Sequence, residues 1–243
     1  MIRTLIAVVY FCLGLVLVMP WLIIYSWLIG NPNLMYRFAM AALRGANWLV
    51  GIRVRVEGIE NIPAGVCIFA SNHLSNVDPL ALVPAIPRRI ALLVKRELFR
   101  IPVLSLAMRM AHFVPVDRAD REAAVASVDR AVVYLKEGLS FAVFPEGTRS
   151  RDGHLRPFKK GTFVMAIQAQ VPIVPVCLIG AQKLMRKGSR ALYPGEVIVR
   201  FLPAVDASQY TFDQRGELLG RVEAMVAAAL PPEQQPLPAP PIA

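Results

Sequence analysis

The chain has 243 residues, a formal net charge of +10 and a hydrophobic fraction of 56%. That apolar share is above the usual value for a soluble domain, so the positive charge points to an anionic membrane surface rather than to nucleic acid. Its three cysteines, Cys12, Cys67 and Cys177, lie far apart in apolar runs without a CxxC pair, which argues against a disulfide framework and against a zinc site.

Residues 1–50 are predicted to form two apolar helices. No charged residue occurs over residues 4–36, a stretch long enough to cross a bilayer, which needs about 20 apolar residues. Pro20 is expected to interrupt this helix, and residues 30–33 (Gly-Asn-Pro-Asn) to end it in a turn. A second helix is predicted over residues 34–50. The first segment either spans the membrane, or forms with the second a hairpin in one leaflet, which the two breaks favour.

Residues 51–230 alternate short apolar runs with helical patterns. Strands are predicted at residues 52–56, 66–70, 89–94, 141–144, 171–178 and 197–201. Helices are predicted at residues 79–86, 104–110, 121–136, 162–169 and 212–229. This alternation is typical of an α/β domain with a mixed, largely parallel sheet flanked by helices, here preceded by the two-helix membrane element. The Pro-rich residues 231–243 are expected to be a disordered tail.

A histidine and an aspartate follow the predicted strand at residues 66–70. In Ser71-Asn72-His73-Leu74-Ser75-Asn76-Val77-Asp78 the two stand five residues apart. A histidine is the usual general base near neutral pH, and it works better when a carboxylate holds its tautomer. The alternative is structural, because Asp78 before Pro79 also fits the start of a helix as its N-cap.

A second polar loop, residues 144–150 (Phe-Pro-Glu-Gly-Thr-Arg-Ser), follows the predicted strand at 141–144. Pro145 and Gly147 fit the second and fourth positions of a type I turn. Gly147 would let a ligand approach the backbone, Thr148 offers a hydroxyl, and the guanidinium of Arg149 suits a phosphate. Taken alone, the segment is equally compatible with an ordinary turn.

Four further segments carry less information. Residues 113–118 form a strand-like piece that ends in Asp117-Arg118, which could be a plain surface pair. Residues 171–176 (Val-Pro-Ile-Val-Pro-Val) are predicted to be an edge or irregular strand because of their prolines. Lys95 and Lys160 each stand beside apolar residues, but Lys160 lacks the Gly-rich lead-in of a nucleotide-binding loop.

The segments NHLSNVD, FVPVDR, FPEGTRS and VPIVPV, in this order, resemble the motifs of the glycerolipid acyltransferase family. His73 and Asp78 match its His-x4-Asp motif, and residues 146–149 match its Glu-Gly-Thr-Arg motif. VKREL and FKKGTF, which contain Lys95 and Lys160, also look like family segments. The family often has a glycine just before its second motif, where this chain has Ala111-His112. The resemblance covers about residues 60 to 180.

The resemblance implies transfer of an acyl group from acyl-CoA or acyl-carrier protein to the free hydroxyl of 1-acylglycerol 3-phosphate (lysophosphatidic acid). The product would be phosphatidic acid for phospholipid synthesis. His73 would be the general base and Asp78 would orient it, without a covalent intermediate. No cofactor, metal or nucleic acid is expected. The expected partners are membrane lipids, and the expected location is the inner membrane with the site facing the cytoplasm.

The remaining site residues are assigned on the same basis. Arg118 and Arg149, with Lys95 and Lys160 near the site, would bind the phosphate of the acceptor. Glu146, Gly147 and Thr148 would position the glycerol and the loop. Acylation of another lysolipid or of glycerol 3-phosphate, hydrolysis of a lipid or thioester, and lipid binding without turnover are the alternatives.

Overall fold

The computed structural model describes residues 2–117, 120–185, 188–189 and 191–237. Within these ranges seven strands form one sheet in the order β1-β7-β6-β2-β5-β3-β4. They are β1 (Ile52–Glu57), β2 (Ile68–Ser71), β3 (Ile90–Lys95), β4 (Val114–Val116), β5 (Ser140–Val143), β6 (Ile173–Ile179) and β7 (Gly195–Phe201). Neighbouring strands are parallel except for the antiparallel pair β6–β7. The predicted class, a mixed and largely parallel α/β sheet, is confirmed.

Helices cover both faces of this sheet. They are α1 (Ile2–Leu13), α2 (Met19–Ile29), α3 (Asn33–Val50), α4 (Val77–Ala85), α5 (Pro102–Met110), α6 (Arg121–Lys136), α7 (Gly161–Ala169), α8 (Ala181–Leu184) and α9 (Arg215–Ala229). Successive strand residues point to opposite faces. Ile68 and Ala70 therefore pack in one core with α6, α7 and α9, whereas Phe69 packs in the other with α4 and α8.

The strand at residues 171–178 was predicted to be an edge or irregular strand, and this prediction is wrong. β6 lies inside the sheet, between β7 and β2. The sheet accommodates the two prolines of this segment. Pro172 precedes the strand, and Pro175 lacks an N–H on only one side of the strand. The carbonyl of Pro175 accepts from the amide of Leu202, so its missing N–H faces the irregular segment beyond the end of β7. The position therefore costs no regular ladder hydrogen bond.

The N-terminal helix differs from the prediction at Pro20. Helices α1 and α2 are joined by the π-helical turn Gly14–Val18 and run on without a break. At this turn the amide of Met19 donates to the carbonyl of Gly14, five residues back. The wider π-helical turn accommodates Pro20, which has no N–H to donate, and the helix continues. Among the described helices, Ile2–Ile29 is the one long and apolar enough to cross a membrane, and an 18-residue stretch of it has a mean hydropathy of 2.5.

Helix α3, the second helix of the predicted membrane element, packs on the α/β domain. The side-chain amide of Asn47 donates to the carbonyl of Leu80 at 2.9 Å. Arg44 donates to the carbonyl of Pro84 at 2.8 Å. Both acceptors belong to α4. The candidate membrane element is therefore the first helix, and α3 connects it to the domain.

The prediction of a disordered tail is wrong for residues 231–237. Gln234 is 1% exposed, and its carbonyl accepts from the amide of Leu155 at 2.8 Å. The ring of His154 hydrogen-bonds to the carbonyl of Gln235 at 2.8 Å. The Pro-rich segment therefore forms a strap, which contains the 3₁₀ helix Pro232–Gln234 and packs on the loop after the second motif. Residues 238–243 lie outside the described part of the chain.

Candidate active site

The two motif loops leave the same edge of the sheet. β2 and β5 are parallel neighbours, with Ala70 opposite Val143. The loop with His73 follows β2, and the loop with Glu146 follows β5. Because parallel strands end at one edge, the two loops stand side by side where sites form in α/β sheets.

His73 and Asp78 form a hydrogen-bonded pair. His73 Nδ1 lies 2.8 Å from Asp78 Oδ2, the His73 side chain is 12% exposed, and that of Asp78 is fully buried. The same Asp78 oxygen accepts the amides of Leu74 at 2.6 Å and Ser75 at 2.7 Å. A carboxylate with three donors on one oxygen takes the proton-bearing nitrogen of the imidazole. Neutral His73 therefore carries its proton on Nδ1 and leaves the lone pair of Nε2 free to accept another.

Asp78 does not serve as the N-cap of the helix that follows. The cap position of α4 is Asn76, whose side chain makes no capping hydrogen bond. Asp78 lies inside the first turn, where the helix dipole favours negative charge. Its carboxylate turns back to the loop and fixes the loop around His73. The geometry thus favours the catalytic alternative over the capping one.

Glu146 holds the backbone on which His73 stands. Its Oε1 accepts the amide of His73 at 2.6 Å, and the amide of Ser150 donates to the carbonyl of His73 at 2.9 Å. The second motif therefore fixes both the amide and the carbonyl of the predicted base. This contact follows from tertiary packing, because 73 residues separate Glu146 from His73.

Burial raises the pKa of Glu146 from an ordinary value of 4.5 to about 8. The residue is 3% exposed, and the negative charge of Asp78 acts in the same direction as burial. The amides of His73 and Arg156 and the positive charge of Arg156 lower the pKa of Glu146 but do not offset its desolvation. Glu146 is thus mostly protonated at neutral pH. It faces the backbone of His73, although the resemblance implied a contact with the glycerol.

The ring of His73 stacks on Phe144, with centroids 4.1 Å apart and planes 23° apart. Sequence reasoning did not single out Phe144. The aromatic residue at the end of β5, directly before the turn, was the available signal. This contact limits rotation of the imidazole and so supports the geometry of the His73–Asp78 pair.

The predicted turn at residues 144–147 is present. The amide of Gly147 donates to the carbonyl of Phe144 at 3.0 Å, and Gly147 has φ +72°. A Cβ at Gly147 would meet Cε of Lys159 at 3.0 Å, so this glycine makes room for a lysine side chain. The sequence pointed to Lys160, the N-cap residue of α7, rather than to its neighbour Lys159; both side chains are exposed, and Lys159 is the one beside Gly147. The adjacent lysines are alike in sequence, and only packing separates them.

The other predicted binding residues that the structure describes lie along the same edge. Thr148 and Arg149 are half-buried in the second motif loop. Lys95 ends β3, on the side of β5 away from β2, and its ammonium pairs with Glu97 at 2.8 Å. Arg118 lies outside the described residues. The structure thus brings His73, Asp78 and the second motif together and places Lys95 farther along the edge.

A family model described as Acyltransferase matches residues 53–179 of the chain. The 1-acyl-sn-glycerol-3-phosphate acyltransferase of Limnanthes douglasii is 35% identical over 191 residues, which are 78% of this chain and 68% of that protein. The alpha form of the same enzyme from Homo sapiens is 36% identical over 177 residues, or 72% of this chain and 62% of that protein.

The solved structures include a similar fold. The crystal structure of the 1-acyl-sn-glycerophosphate (LPA) acyltransferase PlsC from Thermotoga maritima superposes with a TM-score of 0.77 at 30% sequence identity. The match covers 93% of each chain. It therefore includes the N-terminal helices as well as the α/β domain.

Proposed function

Because the chain belongs to the acyltransferase family, we propose that it transfers an acyl group to the free hydroxyl of 1-acylglycerol 3-phosphate and forms phosphatidic acid. The names of the relatives support this acceptor. The observation that carries the proposal is the His73–Asp78 pair at 2.8 Å, placed beside the second motif loop. The donor is acyl-CoA or acyl-carrier protein.

In this mechanism Nε2 of His73 accepts the proton of the acceptor hydroxyl as its oxygen attacks the thioester carbonyl. Asp78 stabilises the imidazolium that forms, because its carboxylate already accepts from Nδ1. The tetrahedral intermediate collapses with loss of the thiolate, which takes the proton from Nε2. A thioester is already activated, so no covalent intermediate with the protein is needed.

The acceptor phosphate supplies the charge that the basic side chains recognise. Arg149, in the same loop as Glu146, is the proposed main partner, since a guanidinium can form two parallel hydrogen bonds to a phosphate. Lys95 and Lys160 are proposed to add positive charge along this edge, and Arg118, outside the described residues, is proposed to bind the same phosphate. Gly147 and Thr148 are proposed to shape the wall that the glycerol contacts.

The contacts of the N-terminal helix support attachment in one leaflet rather than a span. Near the start of the helix, the hydroxyl of Thr4 accepts the amide of Leu192 at 3.0 Å. Nineteen residues later, Ile23 is buried with Ala107. These points are about 28 Å apart along a helix, and both touch the domain. A helix crossing a hydrocarbon core of about 30 Å would have to leave the domain at one end.

We place the protein on the cytoplasmic leaflet of the inner membrane. The negative surface potential of that leaflet attracts the net charge of +10. The exposed apolar side chains of α1 and α2 would then lie among the acyl chains, and the lysolipid would reach the site from the same leaflet.

The deciding experiment incubates purified full-length protein in detergent with lysophosphatidic acid and radiolabelled acyl-CoA. Phosphatidic acid is the expected product. His73→Ala should abolish turnover while His112→Asn, which changes a histidine outside the site to a residue that tolerates its φ of +63°, should keep it. Turnover by His73→Ala comparable with that of the unmodified protein would refute the mechanism.

The same assay separates the alternatives. Lysophosphatidylcholine, lysophosphatidylethanolamine and glycerol 3-phosphate are offered in parallel as acceptors. Preference for one of them would replace the proposed acceptor but keep the acyl transfer. Release of free fatty acid as the main product would instead indicate hydrolysis.

A further inference from the structure

The segment between β3 and β4 exposes three large apolar side chains. Leu98 and Ile101 are each 42% exposed and Leu106 is 48% exposed. Leu98 lies on the 3₁₀ helix Arg96–Arg100, Leu106 lies on α5, and Ile101 joins these two elements. Single apolar side chains on a surface are ordinary, but a group of three within nine residues marks a contact surface.

Helix α5 packs against the N-terminal helix. Val103, Ala107 and Met110 pack in a cluster with Ile23 of α2. Leu106 is three residues from Val103 and four from Met110, so it lies beside this contact, at its exposed border. The exposed apolar group is therefore continuous with the apolar surface of α2, where Trp21 is 72% exposed.

Arginines flank the exposed apolar group. Arg100 and Arg109 are both exposed, and the guanidinium of Arg109 lies 5.5 Å from the ring centroid of Phe99. Residues 95–110 contain four cationic side chains and one acidic side chain, Glu97. Two of these cations are paired, Lys95 with Glu97 and Arg96 with Asp117. The segment keeps a positive balance and combines it with apolar side chains, as interfacial elements do.

This segment also belongs to the edge of the sheet that carries the site. It follows the carboxyl end of β3, and β3 pairs in parallel with β5, whose own carboxyl end leads to Glu146. A membrane that touched residues 96–110 would therefore lie beside the motif loops.

We propose that residues 96–110 form a second membrane-contact surface, seated in the headgroup region of an anionic bilayer next to the N-terminal helix. A bilayer is the occupant because the patch continues the surface of a 28-residue helix that contains an 18-residue stretch with a mean hydropathy of 2.5, and because its arginines complement anionic headgroups. The proposal rests on the membrane attachment proposed above. The surface would hold the active-site edge against the leaflet from which the lysolipid enters.

The first test places an environment-sensitive fluorophore on single cysteines of the full-length protein. Cys12 is exposed, whereas Cys67 and Cys177 are buried, so the natural chain is labelled at Cys12. The other two proteins carry Leu106→Cys or Val133→Cys in a Cys12→Ser background. Val133 is 51% exposed on α6, on the opposite face of the sheet from the N-terminal helix.

Each protein is mixed with phosphatidylglycerol-containing vesicles in which some acyl chains carry a quencher. Quenching at positions 12 and 106, with none at 133, is expected. Quenching at 12 with position 106 as unquenched as 133 would overturn the second surface. No quenching at 12 would instead overturn the membrane attachment itself, so the two failures are distinguishable.

The second test removes charge from the patch. The double substitution Arg100→Gln with Arg109→Gln should lower the fraction of protein in which position 106 is docked on the membrane. The equilibrium constant for docking should fall about fivefold per arginine, or about 25-fold for both. The matched control, Arg130→Gln with Lys136→Gln on α6, should leave quenching at 106 unchanged. Equal quenching in the patch variant and the control would overturn the role of the arginines.

Discussion

Glu146 gives the sharpest test of the site, because its pKa and its hydrogen bond can be separated. Glu146→Gln keeps an oxygen that can accept the amide of His73, at 2.6 Å in the structure, but cannot ionise. Burial raises the pKa of Glu146 to about 8, so the folded state keeps a proton that the unfolded chain releases near pH 4.5. The folded protein thus loses stability as pH rises through this window.

The size of the effect follows from the shift. About 3.5 pKa units at about 1.4 kcal/mol each set an upper limit of about 5 kcal/mol on the pH-dependent loss. Relative to the unmodified protein, Glu146→Gln should therefore gain up to about 5 kcal/mol of unfolding free energy between pH 4.5 and pH 8. The slope should not exceed about 1.4 kcal/mol per pH unit.

The measurement is urea denaturation of both proteins in detergent at pH 5, 6, 7 and 8. Glu57→Gln is the control, because hydrogen bonding to Arg200 lowers the pKa of Glu57 and its stability contribution is lost only at more acidic pH. A difference between Glu146→Gln and the unmodified protein that stays constant across the four pH values would refute the reasoning. Glu146→Leu removes the acceptor as well, so its kcat should fall well below that of Glu146→Gln.

Three further outcomes follow from the contacts. Gly58→Ala should lower the unfolding free energy by several kcal/mol, since its Cβ would overlap a backbone oxygen of β7. Gly138 also has a positive φ but open space around it, so Gly138→Ala should cost about 1–2 kcal/mol. Equal costs in urea denaturation would contradict this. Arg149→Ala should raise the KM for lysophosphatidic acid about 10–100-fold and leave the KM for uncharged monoacylglycerol unchanged; equal rises would remove the phosphate role. Removing residues 231–243 should cost about 1–3 kcal/mol, because the hydrogen bonds of the strap are lost, and removing residues 238–243 alone should cost less; identical urea midpoints would show that the strap does not stabilise the fold.

The elements of secondary structure and the motif residues could be predicted from the chain itself. Apolar periodicity placed each predicted strand and helix of the domain close to its observed position, and α6 coincides with the predicted residues 121–136. Turn chemistry is local, so Pro145 and Gly147 sufficed for the turn at 144–147. The spacing of His73 and Asp78 likewise permitted the observed hydrogen bond.

The errors at β6 and in the tail share one cause, which is that the outcome depended on distant residues. Pro175 was expected to exclude β6 from the sheet interior, but the position of the β7 end decides that its missing donor is harmless. The composition of residues 231–237 indicated disorder, whereas the amide of Leu155 and the ring of His154 bind this segment. Glu146 was expected to position the glycerol and the loop, and nothing near it in sequence shows that it contacts the backbone of His73.

The sequence by itself determined an apolar N-terminal helix, an α/β domain and a histidine–aspartate pair in a strand-end loop, because these depend on local pattern and spacing. Only the tertiary structure decided that the carboxyl group of Glu146 holds the backbone of the histidine. It also decided that the N-terminal helix touches the domain near both ends. The contact of Glu146 with His73 arises because parallel strands bring their carboxyl ends to one edge. Contacts between distant residues, such as this one and those of the N-terminal helix, produce no periodic pattern in the sequence.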